Sequence, residues 1–74
     1  MRLKPLPLDK SLVGIARLLA YPPGTWMEWN YRSCVVVRWE SDYTLLVVRV
    51  RGKHSRRRPR YTLNYYNTEL RVLQ

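Results

Sequence analysis

Hydrophobic positions along this chain follow a helical period first and a strand period afterwards. Leu12, Ile15, Ala16 and Leu19 recur at i, i+3, i+4 and i+7, one apolar stripe at helical spacing. Asp9 stands where an N-cap belongs, with Leu8 before it and Val13 placed to close a hydrophobic staple. Tyr21-Pro22-Pro23-Gly24 ends the segment, because the residue before each proline is pushed out of the helical region. The pattern predicts a helix over 9–20, weakened by Gly14. Ahead of it, Pro5 and Pro7 alternate with leucines and predict an extended arm over 1–8.

From Thr25 the period falls to two. Met27, Trp29 and Tyr31 take one side, and Trp26, Glu28, Asn30 and Arg32 the other, a strand pattern that Trp26 makes imperfect. Ser33 to Glu40 and Leu45 to Arg51 are rich in Val, Leu and Trp, and Ser41-Asp42-Tyr43-Thr44 between them predicts a hairpin with a four-residue connection built on a type I turn. Pairing Glu40 with Leu45 sets Trp39 against Leu46, Val37 against Val48 and Val35 against Val50, one continuous apolar face, whereas a slip of one residue would set Arg49 against Val35. Pairing Arg51 with Arg60 then sets Val50 against Tyr61, Val48 against Leu63 and Leu46 against Tyr65. Asn67-Thr68 predicts a turn, and 69–73 fits a short edge strand and a last helical turn equally.

These elements predict an α+β fold in one domain over 1–74: a short N-terminal helix packed on a small antiparallel β-sheet of roughly three to five strands drawn from 25–73, with a basic hairpin loop at 52–60. A small SH3-like β-barrel is the alternative. The exposed edges of so small a sheet admit a homodimer.

Charge adds a direction. The net charge is +9, the pI is near 10.5, and eleven arginines stand against three lysines. Arginine's planar fork suits bidentate contact with phosphate or carboxylate. Arg49, Arg51, Lys53, Arg56, Arg57, Arg58 and Arg60 form one cluster, with His54 inside it and no acidic residue within six positions on either side. On the expected register Arg32, Arg38, Arg49, Arg51 and Arg60 share the face opposite the core. Nucleic acid is the partner this favours, with an acidic protein or nucleoprotein surface second.

Most of the nine aromatics fall on the expected core side: Trp39, Tyr61 and Tyr65, with Trp29 and Tyr31. Trp26, Tyr66, Tyr43 and Tyr21 are left for exposure, and Trp26 and Tyr66 are the candidates for stacking on a base. His54 has no second histidine or carboxylate near it in sequence, and the acids Asp9, Glu28, Glu40, Asp42 and Glu69 are scattered, so neither an acid–base pair nor a metal or cofactor site is expected. Cys34 alone cannot form an intramolecular disulfide and points to a reducing, cytoplasmic setting. Arg17 interrupts the apolar run 12–20, which is too short to span a bilayer, so no membrane partner is expected.

No glycine-rich phosphate loop, Cys/His zinc pattern or ribonucleoprotein aromatic motif is present. In outline alone, a helix joined to an arginine-rich sheet resembles SH3-like nucleic-acid modules and the small basic ribonucleases of toxin–antitoxin systems, and no residue is carried over from either. The leading expectation is a non-enzymatic binding module that docks the 52–60 loop and the adjoining sheet face on nucleic acid. The alternatives are a small inhibitor or adaptor of the kind viruses and mobile elements encode, and a ribonuclease-like toxin using His54.

Overall fold

The β-branched and aromatic runs that predict strands become, in the computed structural model, the middle of one antiparallel sheet. The structure describes residues 4–51 and 59–74. Its strands are β1 (Pro5–Pro7), β2 (Trp26–Trp29), β3 (Arg32–Glu40), β4 (Leu45–Val50), β5 (Arg60–Asn64) and β6 (Leu70–Leu73). They lie in the order β1-β6-β2-β3-β4-β5, and the sheet curls into a half-barrel.

A helix packed on a sheet is overturned. Strands take 48% of the described residues and helix 9%, the only helix among them being α1, Ile15–Ala20, shorter than two turns. Two residues of the expected apolar stripe are turned outward, Ile15 at 57% and Leu19 at 74% exposed, while Leu12 packs against the core and Arg17 is buried. Two local features explain this. Asp9 Oδ1 accepts the N–H and the hydroxyl of Ser11, so Asp9 closes a turn of its own and caps no helix. Gly14, at φ +55, then breaks the backbone before α1 begins. Arg17 faces inward because acceptors wait for it there, as described below. Nor does the sheet close as a small SH3-like barrel, since β1 and β5 remain its edges.

The arm expected over 1–8 contributes β1, whose Leu6 lies opposite Val72 of β6. Pro5 and Pro7 are tolerated there because an edge strand leaves one side of its backbone unpaired. Residues 70–73 form neither an edge strand nor a helical turn. They are an interior strand, with Leu6 on one side of Val72 and Met27 on the other. The sheet thus has six strands, more than the expected three to five, and draws on residues ahead of 25.

Asn30 and Tyr31 leave the strand predicted through them. At φ 53 and 62 they make a two-residue hairpin connection between β2 and β3, with Trp29 opposite Arg32. Tyr31 is 94% exposed rather than in the core. Ser41, Asp42 and Tyr43 are also left-handed, at φ 49, 55 and 63, so the four-residue connection is present but not as a type I turn.

The β3–β4 pairing begins as expected, with Glu40 opposite Leu45 and Trp39 opposite Leu46. A β-bulge between Val36 and Arg38 then inserts Val37, so Val36 faces Val48, Cys34 faces Val50, and Val35 faces Arg49 after all. The core side beyond the bulge is carried by Cys34 and Val36, both buried. The β4–β5 register slips by two residues from expectation, to Leu46 opposite Leu63, Val48 opposite Tyr61 and Arg49 opposite Arg60. A slip of two returns every side chain to the same face, so Leu63 stays inside and Arg60 outside. Met27, Cys34, Leu46, Val48 and Tyr65 are the most deeply buried side chains.

Candidate nucleic-acid interface

Alternation along β2 to β5 places the residues that do not enter the core on one outer face. Register sets four of them in a row across four strands: Trp26 opposite Val35, Val35 opposite Arg49, and Arg49 opposite Arg60. Arg51 lies two residues beyond Arg49 on the same side, its backbone N–H bonded to Ser33 O at 3.0 Å and its guanidinium 6.0 Å from the Trp26 ring centre. Arg51, Arg60 and Trp26 are exposed, and Arg49 and Val35 are half-buried.

Backbone bonding tightens the Arg49–Arg60 contact. Val50 donates to Pro59 O at 3.2 Å and Tyr65 to Thr44 O at 2.8 Å, so those are hydrogen-bonded pairs of the β4–β5 ladder. Pairs alternate along an antiparallel ladder, so Arg49 and Arg60 form a non-hydrogen-bonded pair, in which opposed Cα atoms approach to about 4.5 Å and the side chains crowd closest. Like charges opposed in this way destabilise a sheet. Among the described residues the ion pairs are Arg38 with Glu40 at 2.7 Å and Arg71 with Glu28 and Glu69 at 3.4 and 3.3 Å, and none reaches Arg49, Arg51 or Arg60.

The outer face is therefore polarised. Its β4–β5 end carries uncompensated cations, and its β2–β6 end carries the Glu28–Arg71–Glu69 group beside a cleft of about 220 Å³ walled also by Trp29 and Tyr31. A polyanion is attracted to the first end and repelled by the carboxylates of the second.

Of the residues singled out in sequence, Arg49, Arg51, Arg60 and Trp26 are brought together. Arg38 shares the face with its charge engaged by Glu40. Arg32 is moved by the bulge to the side of Cys34, at the end of β3. Lys53, His54, Arg56, Arg57 and Arg58 lie outside the described residues. Tyr66 belongs to another cluster, and Tyr21, expected to be exposed, is buried with its hydroxyl accepting the Asp9 N–H at 2.9 Å.

That other cluster centres on Arg17, which sequence periodicity treats only as an interruption. Arg17 donates from Nε to Leu12 O and from Nη1 to Tyr43 O, both at 2.9 Å, and from Nη2 to the Tyr66 hydroxyl. Its guanidinium lies 4.7 Å from the Tyr65 ring centre and 4.6 Å from that of Tyr66. Lys10 adds a second cation, 4.4 Å from the Tyr65 ring centre and bonded to Tyr65 O. Burial, and secondarily the nearby Arg17, lowers the Lys10 pKa below the ordinary lysine value. Two cations on two tyrosines thus hold the N-terminal segment onto the rest of the chain. The signal available in sequence was Tyr65-Tyr66 next to the sheet with an arginine inside an apolar stripe, and it does not say which pair meets.

Val35 was missed because only the bulge brings it to the outer face. Cys34 is fully buried, its thiol donating to Met27 O at 3.5 Å, and burial pushes its pKa up to about 11, which keeps it protonated and a poor nucleophile at neutral pH. Among the described residues no three His, Cys, Asp or Glu side chains gather as metal ligands, and no helix is long and apolar enough to cross a membrane. In comparisons with known proteins, no family model, no curated protein and no solved structure matches the chain.

Proposed function

We propose that the chain is a nucleic-acid-binding module whose β4–β5 end contacts the phosphate backbone through Arg49, Arg51 and Arg60. The observation that carries this is the Arg49–Arg60 pair, two cations held opposite one another on a sheet with no carboxylate in contact among the described residues. Such a pair costs stability, and a bound phosphate lying between the two guanidinium groups turns repulsion into two charge-assisted contacts. Arg51 continues the charge beyond β4, and the sequence between Arg51 and Pro59 contains Lys53, Arg56, Arg57 and Arg58. Release of counterions from the backbone would supply most of the affinity.

The test is a salt series of binding to a labelled oligonucleotide, with Arg49→Thr and Arg60→Thr beside the wild type. Each replacement should weaken binding, reduce the slope of log affinity against log salt by about 0.7 to 0.9, and leave the protein as stable as before or slightly more so. The last result separates a docking site from a structural arginine. Absence of binding at low salt, or binding unchanged by both replacements, would refute the proposal.

A further inference from the structure

Trp26 is the part of the row that phosphate binding does not use. It lies next to the cations across β2 and β3, is 39% exposed, and is reached by a guanidinium from Arg51, the last described residue of its strand end. A buried tryptophan needs no explanation, but here an aromatic ring is kept at the surface, beside an apolar Val35 and in line with Arg49 and Arg60. Such an alternation of aromatic, apolar and cationic positions fits a strand of nucleic acid whose bases are free, because each nucleotide offers a flat apolar base and a charged phosphate.

The spacing between Trp26 and Arg51 gives this a definite form. Stacked layers are about 3.4 Å apart, so a base held between an indole and a guanidinium needs roughly 6.8 Å between them. The observed separation from the guanidinium carbon to the ring centre is 6.0 Å, at the outer limit for a cation resting directly on a ring. Among the described residues no carboxylate holds Arg51 in place, and its side chain is exposed, so a small outward movement of the guanidinium makes room for a base. Arginine and tryptophan are both good stacking partners for a base.

We infer that Trp26 and Arg51 form a slot for one unpaired base, which makes the ligand single-stranded nucleic acid. In a duplex both faces of each base are covered by its stacked neighbours, so the slot has nothing to take and only the phosphate contacts remain. This inference rests on the phosphate-binding proposal above, and the two fail differently. Stacking between a ring and a guanidinium is tolerant of sequence, because every base offers a flat π-face.

The experiment compares four ligands of equal length: an unstructured oligothymidylate, oligouridylate as its ribose counterpart, an abasic strand with the same phosphates, and a duplex. The wild type should bind the base-bearing strands about 5- to 150-fold more tightly than the abasic strand, the range for one stacked base. Trp26→Ala should remove that preference and leave abasic and duplex binding unchanged, and Trp26→Tyr should restore most of it. Arg51→Ala should weaken all ligands and the base-bearing strands most. Equal affinity for base-bearing and abasic strands, or a Trp26→Ala loss of the same size on every ligand, overturns the slot while leaving phosphate binding intact. No binding to any of them overturns both.

Discussion

Arg17→Ala is the substitution with the largest expected consequence for the fold. Arg17 is 2% exposed and donates to two backbone carbonyls and one tyrosine hydroxyl, with two aromatic rings against its guanidinium. Hydrogen bonds from a charged donor contribute about 1.5–3 kcal/mol each and a partly desolvated cation–ring contact about 1 kcal/mol, a gross gain of roughly 6–11 kcal/mol. Removing a cation from water with no carboxylate in contact takes back several kcal/mol of that. A net loss of about 3 kcal/mol follows for Arg17→Ala, which also leaves the Leu12 and Tyr43 carbonyls without their donor. A chain of 74 residues has roughly 4–11 kcal/mol of stability in all, so the variant should lose between about a quarter and three quarters of it. Urea unfolding followed by tryptophan fluorescence should show a midpoint lower by about 2 M with an unchanged slope. Arg17→Lys should recover little, because one ammonium on a flexible stem cannot serve three acceptors arranged around a planar fork. A loss under about 1 kcal/mol for Arg17→Ala would refute the view that this side chain fastens the N-terminal segment.

Tyr31→Gly should raise the melting temperature by about 3–6 °C, because a left-handed tyrosine costs about 1–2 kcal/mol and glycine returns only part of that as chain entropy; a lower melting temperature would count against the hairpin turn at Asn30-Tyr31. The Cys34 pKa is raised from 9.0 to about 11, so the folded state keeps a proton that the unfolded state releases. Cys34's contribution to stability is therefore full below pH 9 and is lost, by about 1–3 kcal/mol, as pH rises to 11, so chemical denaturation should find a smaller fall over that range in Cys34→Ala than in the wild type. Thr62→Pro should fold, since the Thr62 N–H points away from β4 at the open edge of the sheet, whereas Leu63→Pro removes a donor from the β4–β5 ladder and should not; circular dichroism of the two variants distinguishes them.

Local pattern alone determined the β-rich centre of the chain. The runs 33–40 and 45–50 alternate or saturate with Val, Leu and Trp, so they become strands wherever they pair, and the Glu40–Leu45 and Trp39–Leu46 pairs follow from the short connection between them. The face assignments of Arg49, Arg51 and Arg60 were also legible, because the β4–β5 register erred by two residues and a period of two forgives that error. By the same rule an insertion of one residue at Val37 inverted the assignments of Arg32, Cys34 and Val35, and no composition signal marks a bulge in a run of three valines.

The ends were decided by contacts distant in sequence. The stripe Leu12, Ile15, Ala16 and Leu19 is a sound helical pattern, yet it fixes orientation only if the apolar face finds the best partner. Here the partners on offer were the Tyr43 carbonyl and the rings of Tyr65 and Tyr66, and a guanidinium answers those better than a leucine does. Likewise 70–73 is ambiguous in isolation and becomes an interior strand because β1 and β2 both need an antiparallel neighbour. The sequence by itself thus determined that arginines would project from a sheet. Only the tertiary structure decided that Arg49 opposes Arg60, that Arg51 reaches Trp26, and that Arg17 is spent on holding the chain together, since each depends on a register or a long-range approach that no local pattern encodes.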